Sequence, residues 1–167
     1  MSDQSTSIER QKREMMYPFH LAFPVKHLEE ARAFYGGLLG CVEGRSSEEW
    51  IDFSLYGHQI VAHLVQSPLR DEHRSLVDGH QVPVRHFGLV LPYEEWFTLA
   101  ERLKALSASF IIEPGLRFEG TPGAQYTFFI QDSSGNALEF KSMVKPENLF
   151  ARFDEHSSRS SVFTKER

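Results

Sequence analysis

The feature that most constrains this chain is a motif that occurs twice. HLAFPVKHLEEA begins at His20 and HFGLVLPYEEWF begins at His86, and each joins a histidine, an apolar stretch, a proline and a pair of glutamates. The glutamate pairs begin nine and eight residues after their histidines and open amphipathic segments. Self-similarity of this kind indicates a duplicated supersecondary unit. The sequence therefore predicts the same β-α-β-β-β unit twice.

Local patterns predict where the elements of each unit lie. Runs rich in β-branched and aromatic residues predict strands, and apolar residues spaced three or four apart predict helices. The strands are predicted at residues 17–25, 50–55, 59–65, 84–91, 110–113 and 116–120, and the helices at 28–39 and 93–106. The polar segment 66–83 is predicted to be a connecting loop.

The stretch YTFFIQDSSGNALEFKSM, residues 126–143, is predicted to form two strands joined by a turn. Gly135 can adopt the positive φ that such a turn requires. Glu139 points away from the face of its two apolar neighbours, because side chains alternate along a strand. Taken alone, this strand favours a Glu139 side chain that faces water over one that faces a pocket. Aligning the two halves on Gly57 and Gly135 places Glu139 at the position of Val61.

Length and composition predict one soluble domain. The chain has 167 residues, of which 41% are hydrophobic, enough for a sizeable core. We predict a flexible N-terminal arm at residues 1–16 and a C-terminal tail at 145–167. Residues 17–144 are predicted to form a single domain with modules at about 17–66 and 84–144.

Charge and cysteine content exclude several partners. A formal net charge of −5 gives no basic surface for nucleic acid. No apolar run approaches the roughly 20 residues that a membrane span requires, and the first residues lack the apolar core of a secretion signal. The single cysteine, Cys41, excludes an internal disulfide framework and fits a reducing cytoplasm. We therefore predict a cytoplasmic protein with no nucleic-acid or membrane partner.

Three features together resemble the vicinal oxygen chelate superfamily. They are the duplicated βαβββ units, the early-strand histidine in each half and the late DxxGNxxEF segment. This superfamily includes glyoxalases, bleomycin- and fosfomycin-resistance proteins and extradiol dioxygenases. The resemblance covers about residues 17–144, although Ser133 replaces the proline that usually follows the aspartate. It implies an α+β fold in which two βαβββ modules form a cupped mixed sheet with helices outside.

The resemblance also implies a metal site. Its ligand positions fall on His20, His86 and Glu139, which would bind one divalent metal ion. Fe(II) is favoured, with Mn, Zn and Ni as alternatives. Two imidazoles and one carboxylate leave coordination positions open for substrate or oxygen.

The first module lacks the acidic ligand that glyoxalase-type members carry, because Val61 occupies its position. Gln59 and His63 share the face of Val61, so either stays open as a fourth ligand. His63 is predicted to act as an acid or base, since imidazole titrates near neutral pH. The residues predicted to orient an anionic or phenolic substrate are Arg45, Arg117 and Tyr126, and Tyr126 is counted with His63 as catalytic.

The resemblance implies three alternative functions. The favoured one is an Fe(II)-type dioxygenase that acts on a small vicinal-oxygen, catechol-like substrate. A glyoxalase-type lyase or isomerase is weakened by Val61, and a metal-free protein that sequesters a drug or toxin is weakened by the presence of all three ligand residues. We also predict a homodimer, because small proteins with this resemblance usually pair their sheets. In addition, the tail carries Leu149, Phe150 and Phe153, which would expose apolar surface on a monomer.

Overall fold

The computed structural model describes residues 17–66 and 73–151. The predicted arm at 1–16 and the predicted tail beyond residue 151 lie outside the described residues. The described residues divide into two compact units. One contains 17–66 together with Asp132–Asn136, and the other contains 73–131 together with 137–151.

The first unit is a four-stranded sheet with one helical segment. Its elements are β1 (His20–Val25), α1 (Leu28–Ala31), a π-helix (Arg32–Leu38), β2 (Val42–Ser46), β3 (Trp50–Leu55) and β4 (His58–Leu64). The strand order is β1-β4-β3-β2, with β1 parallel to β4 and the other neighbours antiparallel. This arrangement confirms the predicted βαβββ unit and adds β2, which local patterns did not predict.

The helical segment of the first unit anchors its core through Tyr35. The predicted helix begins at Leu28 as expected, but from Arg32 onward it widens into a π-helix, a form that is rare and short in proteins. Tyr35 is fully buried, and its ring packs against Phe23 of β1 and Phe53 of β3.

Asp132 organises the turn that belongs to the first unit. Its Oδ1 accepts the backbone N–H groups of Ser134 and Asn136, at 2.9 and 2.8 Å. Its Oδ2 accepts the hydroxyl of Tyr35 at 2.9 Å. Burial, followed by the charge of Asp132, raises the pKa of Tyr35 well above its usual range, so this hydroxyl remains a donor.

The second unit repeats the topology of the first. Its elements are β5 (Arg74–Val77), β6 (His80–Pro83), β7 (His86–Val90), α2 (Tyr93–Ala105), β8 (Phe110–Arg117), β9 (Gln125–Gln131), β10 (Ala137–Met143) and a 3₁₀ helix (Pro146–Phe150). The main sheet has the order β7-β10-β9-β8, with β7 parallel to β10. Trp96 of α2 secures the helix to the sheet by donating its indole N–H to the carbonyl of Phe140 at 2.9 Å. In the parts of the chain that the structure describes, no helix is long and apolar enough to cross a membrane.

Two predictions about the second half were wrong. The segment predicted as a loop contains the hairpin β5–β6, because Asp78 and Gly79 both adopt positive φ and form a tight two-residue turn. The two short strands predicted at 110–113 and 116–120 are one strand, β8. Its pairing with β9 shifts register between Ile112 and Gly115, which accommodates Pro114, a residue with no N–H to donate.

The strand registers confirm the alignment of the two halves. In β4, Val61 lies two residues after the residue that pairs with His20. In β10, Glu139 lies two residues after the residue that pairs with His86. Val61 and Glu139 therefore hold equivalent positions in the two units, as the sequence predicted.

Candidate metal centre

His86 and Glu139 lie together on the sheet of the second unit. The Nε2 atom of His86 is 3.3 Å from Oε2 of Glu139. The other ring nitrogen, Nδ1, is 2.7 Å from the carbonyl oxygen of Pro83. Because a carbonyl can only accept, Nδ1 carries a hydrogen and donates it. That hydrogen bond fixes the ring with Nε2 turned toward the carboxylate, the arrangement typical of a metal-ligating histidine.

Glu139 is a buried carboxylate with three polar partners. Only 9% of the residue is exposed. The Thr127 hydroxyl donates to its Oε1 at 2.8 Å, and the Lys141 ammonium lies 3.6 Å from its Oε2. Burial by itself raises the pKa of Glu139, but the hydrogen bond from His86, the charge of Lys141 and the Thr127 hydroxyl outweigh it and lower that pKa overall. Glu139 is therefore ionised at neutral pH.

The same contact acts on His86 in the opposite direction. The hydrogen bond to Glu139 raises the pKa of His86 above 6.5, against the opposing effect of burial. When Nε2 is protonated, it donates to the carboxylate and holds the two side chains together. A cation bound between Nε2 and Oε2 would take the place of that proton.

This pair fits a divalent metal ion. Two donors on one metal, each at about 2.0–2.2 Å, lie roughly 3 Å apart, close to the observed separation. Gly88, which pairs with Glu139, has no side chain, and a Cβ there would overlap the backbone oxygen of Glu139. Within 17–66 and 73–151, no three or more His, Cys, Asp or Glu side chains form a group that could hold a metal. The structure therefore supplies two of the three predicted ligands as a pair.

His20, the third predicted ligand, lies on β1 of the first unit. Its Nδ1 is 2.8 Å from the side-chain oxygen of Gln59, its register partner on β4. Gln59 in turn donates to Asp52 at 3.1 Å, and Asp52 forms an ion pair with Arg45. His20 therefore ends a polar chain that crosses all four strands of the first sheet.

Asp52 is a residue that the sequence reasoning missed. It is buried on β3 and pairs in register with Val61. The first unit thus has an acidic group on the strand beside the position where Val61 replaces the family's acid. A signal existed in the sequence, because an aspartate flanked by Ile51 and Phe53 interrupts an otherwise apolar strand.

His63 shares a strand face with Gln59 and Val61, as predicted, but it lies further along β4. It pairs with Pro24, four residues from the pairing of His20. At roughly 3.3 Å per residue, this places His63 about 13 Å along the strand from His20. This spacing disfavours His63 as a fourth ligand beside His20. The His63 side chain is exposed to solvent.

Tyr126 lies in an aromatic cluster on the helix side of the second sheet. Its ring centroid is 4.8 Å from that of Tyr93 and 5.4 Å from that of Trp96. The next residue, Thr127, contacts Glu139, so Tyr126 points to the opposite face of β9. This position argues against the catalytic role predicted for Tyr126.

The two arginines predicted to orient substrate are both engaged. Arg117 is buried, donates to the carbonyl of Val77 at 2.5 Å and lies 3.3 Å from a carboxylate oxygen of Asp78. It therefore fastens the hairpin β5–β6 to β8. Arg45 contacts Asp52 at 3.1 Å, although its side chain is 79% exposed.

The fold and these sites define a duplicated βαβββ protein with a histidine opening each unit and a buried glutamate beside the second histidine. The family model of the Glyoxalase/Bleomycin resistance protein/Dioxygenase superfamily matches residues 18–140. The chain belongs to this superfamily, whose members typically bind a divalent metal.

Solved structures agree with this assignment. A glyoxalase/bleomycin resistance protein/dioxygenase from Alicyclobacillus acidocaldarius is 32% identical, with 80% of this chain and 96% of that chain covered and a TM-score of 0.69. The fosfomycin resistance protein FosX from Listeria monocytogenes is 21% identical, with 80% and 98% covered and a TM-score of 0.57. A lactoylglutathione lyase from Agrobacterium tumefaciens is 17% identical, with 81% and 97% covered and a TM-score of 0.54. These last two share the fold. Curated protein sequences give no significant match.

Proposed function

We propose that this protein is a metal-dependent enzyme that acts on a small substrate with two adjacent oxygen atoms, and that it is a dioxygenase. The observation that carries the proposal is the pair formed by His86 and Glu139, held in a ligating geometry by Pro83 and Thr127. His20 is proposed as the third ligand of one divalent ion, with Fe(II) favoured. Its place in this set rests on the family and on its position, which matches that of His86 in the repeat.

A divalent ion in this site would supply positive charge that lowers the pKa of substrate oxygens and stabilises their anionic form. The protein's own groups prepare the site for it. Glu139 supplies negative charge, and Thr127 and Lys141 keep that charge on the carboxylate. Phe129 stands edge-on to His86, with 5.2 Å between ring centroids, and provides an apolar wall against water.

The first unit favours open coordination positions over a fourth protein ligand. Val61 has no donor atom, and Gln59 is occupied by His20 and Asp52. The carboxylate of Asp52 is itself paired with Arg45. Three protein ligands would leave room for two substrate oxygens and dioxygen, which supports a dioxygenase over a glyoxalase-type lyase. We propose His63 as an acid or base for the part of a substrate that extends along β4.

Metal content and oxygen uptake test this function. Protein loaded anaerobically with Fe(II) should retain about one ion per chain and consume oxygen with a catechol. Glu139→Gln should lose most of the metal, whereas Glu113→Gln, a control at an exposed position on β8, should load normally. Equal loading of both variants would refute the ligand assignment. Metal binding without oxygen uptake, together with turnover of a hemithioacetal, would establish the lyase instead. Tight binding of a drug by metal-free protein without turnover would indicate a sequestering protein.

A further inference from the structure

The polar chain that ends at His20 has a defined direction. Oδ2 of Asp52 accepts hydrogen bonds from the guanidinium of Arg45, and the amide nitrogen of Gln59 donates to the same oxygen at 3.1 Å. The amide oxygen of Gln59 then faces His20 at 2.8 Å. Because an amide oxygen can only accept, Nδ1 of His20 carries the hydrogen. The neutral ring is thus left with its lone pair on Nε2.

The far end of the chain is fixed as well. Arg45 contacts Oδ2 of Asp52 with both Nε and Nη2, at 3.3 and 3.1 Å. Its guanidinium also lies over the ring of Trp50, 5.9 Å from the centroid. Asp52 is only 7% exposed, so this carboxylate has few alternative orientations. Because Arg45 can only donate, Asp52 accepts, and the direction of every hydrogen bond in the chain follows from this contact.

We propose that Gln59 and Asp52 are positioning residues that hold His20 in its Nδ1–H tautomer, so that Nε2 is presented as a ligand. The metal-binding part of this inference rests on the proposed function. The hydrogen bond made by one ring nitrogen sets the role of the other, and such outer partners commonly change metal affinity by roughly 10- to 100-fold. In the second unit a backbone carbonyl, that of Pro83, orients His86. In the first unit, the side chains of Gln59 and Asp52 orient His20.

The tautomer of His20 can be read directly in metal-free protein. Long-range ¹H–¹⁵N spectra, recorded at a pH where they show the His20 ring to be neutral, should show the Nδ1–H form in the wild type. Gln59→Leu removes the acceptor and should shift His20 toward the Nε2–H form. Ser54→Ala, at the exposed register partner of Gln59, should leave the tautomer unchanged. An Nε2–H ring in the wild type would overturn the proposal without any variant.

A double variant supplies the rescue. Asp52→Asn combined with Gln59→Glu reverses donor and acceptor between the two positions but still offers an acceptor to Nδ1–H. It should restore the Nδ1–H tautomer, and Co²⁺ affinity should recover from the roughly 10- to 100-fold loss expected for Gln59→Leu. A double variant that keeps the Nε2–H form would refute the role of Gln59 and Asp52. If no protein, wild type included, binds Co²⁺ while the tautomers change as expected, the positioning role stands and the proposed function fails.

Discussion

Thr127 offers the sharpest test of how the carboxylate of Glu139 is stabilised. Thr127 is fully buried, and its hydroxyl donates to Oε1 of Glu139 at 2.8 Å. Thr127→Val replaces that hydroxyl with a methyl group of similar size. The buried carboxylate then loses one of its donors and gains none, because no water reaches a fully buried position without a rearrangement.

The magnitude follows from the charge of the acceptor. A hydrogen bond to a charged group contributes about 1.5–3 kcal/mol, so the free energy of unfolding of metal-free protein should fall by that amount at neutral pH. The pKa of Glu139 should rise, because a group that lowers it is gone. A lowered folded-state pKa contributes stability above 4.5, and this contribution disappears as pH falls through that pKa. The cost of Thr127→Val should therefore shrink in acid.

Urea unfolding followed by circular dichroism, repeated from pH 7 into the acid range, measures this dependence. Thr127→Ser is the matched control: it keeps the hydroxyl, loses a methyl group and should cost about 1 kcal/mol at every pH. The pKa of Glu139 can be followed by ¹³C NMR in the same proteins. An unchanged pKa in Thr127→Val, or a cost that does not vary with pH, would refute the reasoning.

Four further predictions follow from other parts of the molecule. A metal must displace the proton of His86, whose pKa is raised above 6.5, so Co²⁺ affinity should increase with pH to a midpoint above 6.5. Calorimetry should show that binding releases about one proton. A lower midpoint would contradict the pairing of His86 with Glu139. Tyr35→Phe leaves the buried Asp132 without one donor and should lower the free energy of unfolding by about 1.5–3 kcal/mol in urea, whereas Tyr17→Phe at an exposed position should have no effect. His63→Ala should reduce turnover by roughly 100-fold with metal content unchanged, and full activity would remove His63 from the mechanism. Sedimentation at micromolar concentration should show a homodimer, and a monomer alone would exclude that assembly.

The sequence by itself determined the repeat and most of its elements, although β2 and the hairpin β5–β6 were not predicted from it. The local signals are strand alternation, the glutamate pairs that open the helical segments and the turn glycine. They correctly predicted that Glu139 and Val61 hold equivalent positions in the two units. The Asp78–Gly79 pair was also a local signal for a hairpin. The surrounding residues are polar, and for that reason the segment was predicted to be a loop. These signals do not depend on tertiary contacts, because backbone geometry fixes the alternation of side chains along a strand and the residue types that a turn prefers.

Tertiary structure decided which side chains act together. Whether Tyr126 or Thr127 faces Glu139 depends on which face of β9 the helix α2 covers. Trp96 of α2 packs against Tyr126, so Thr127 lies on the face of Glu139. The link from His20 through Gln59 to Asp52 joins three strands, so no spacing along the chain encodes it. Hydrogen-bond partners across a sheet are set by register and by buried charge, and both exist only once the strands have paired.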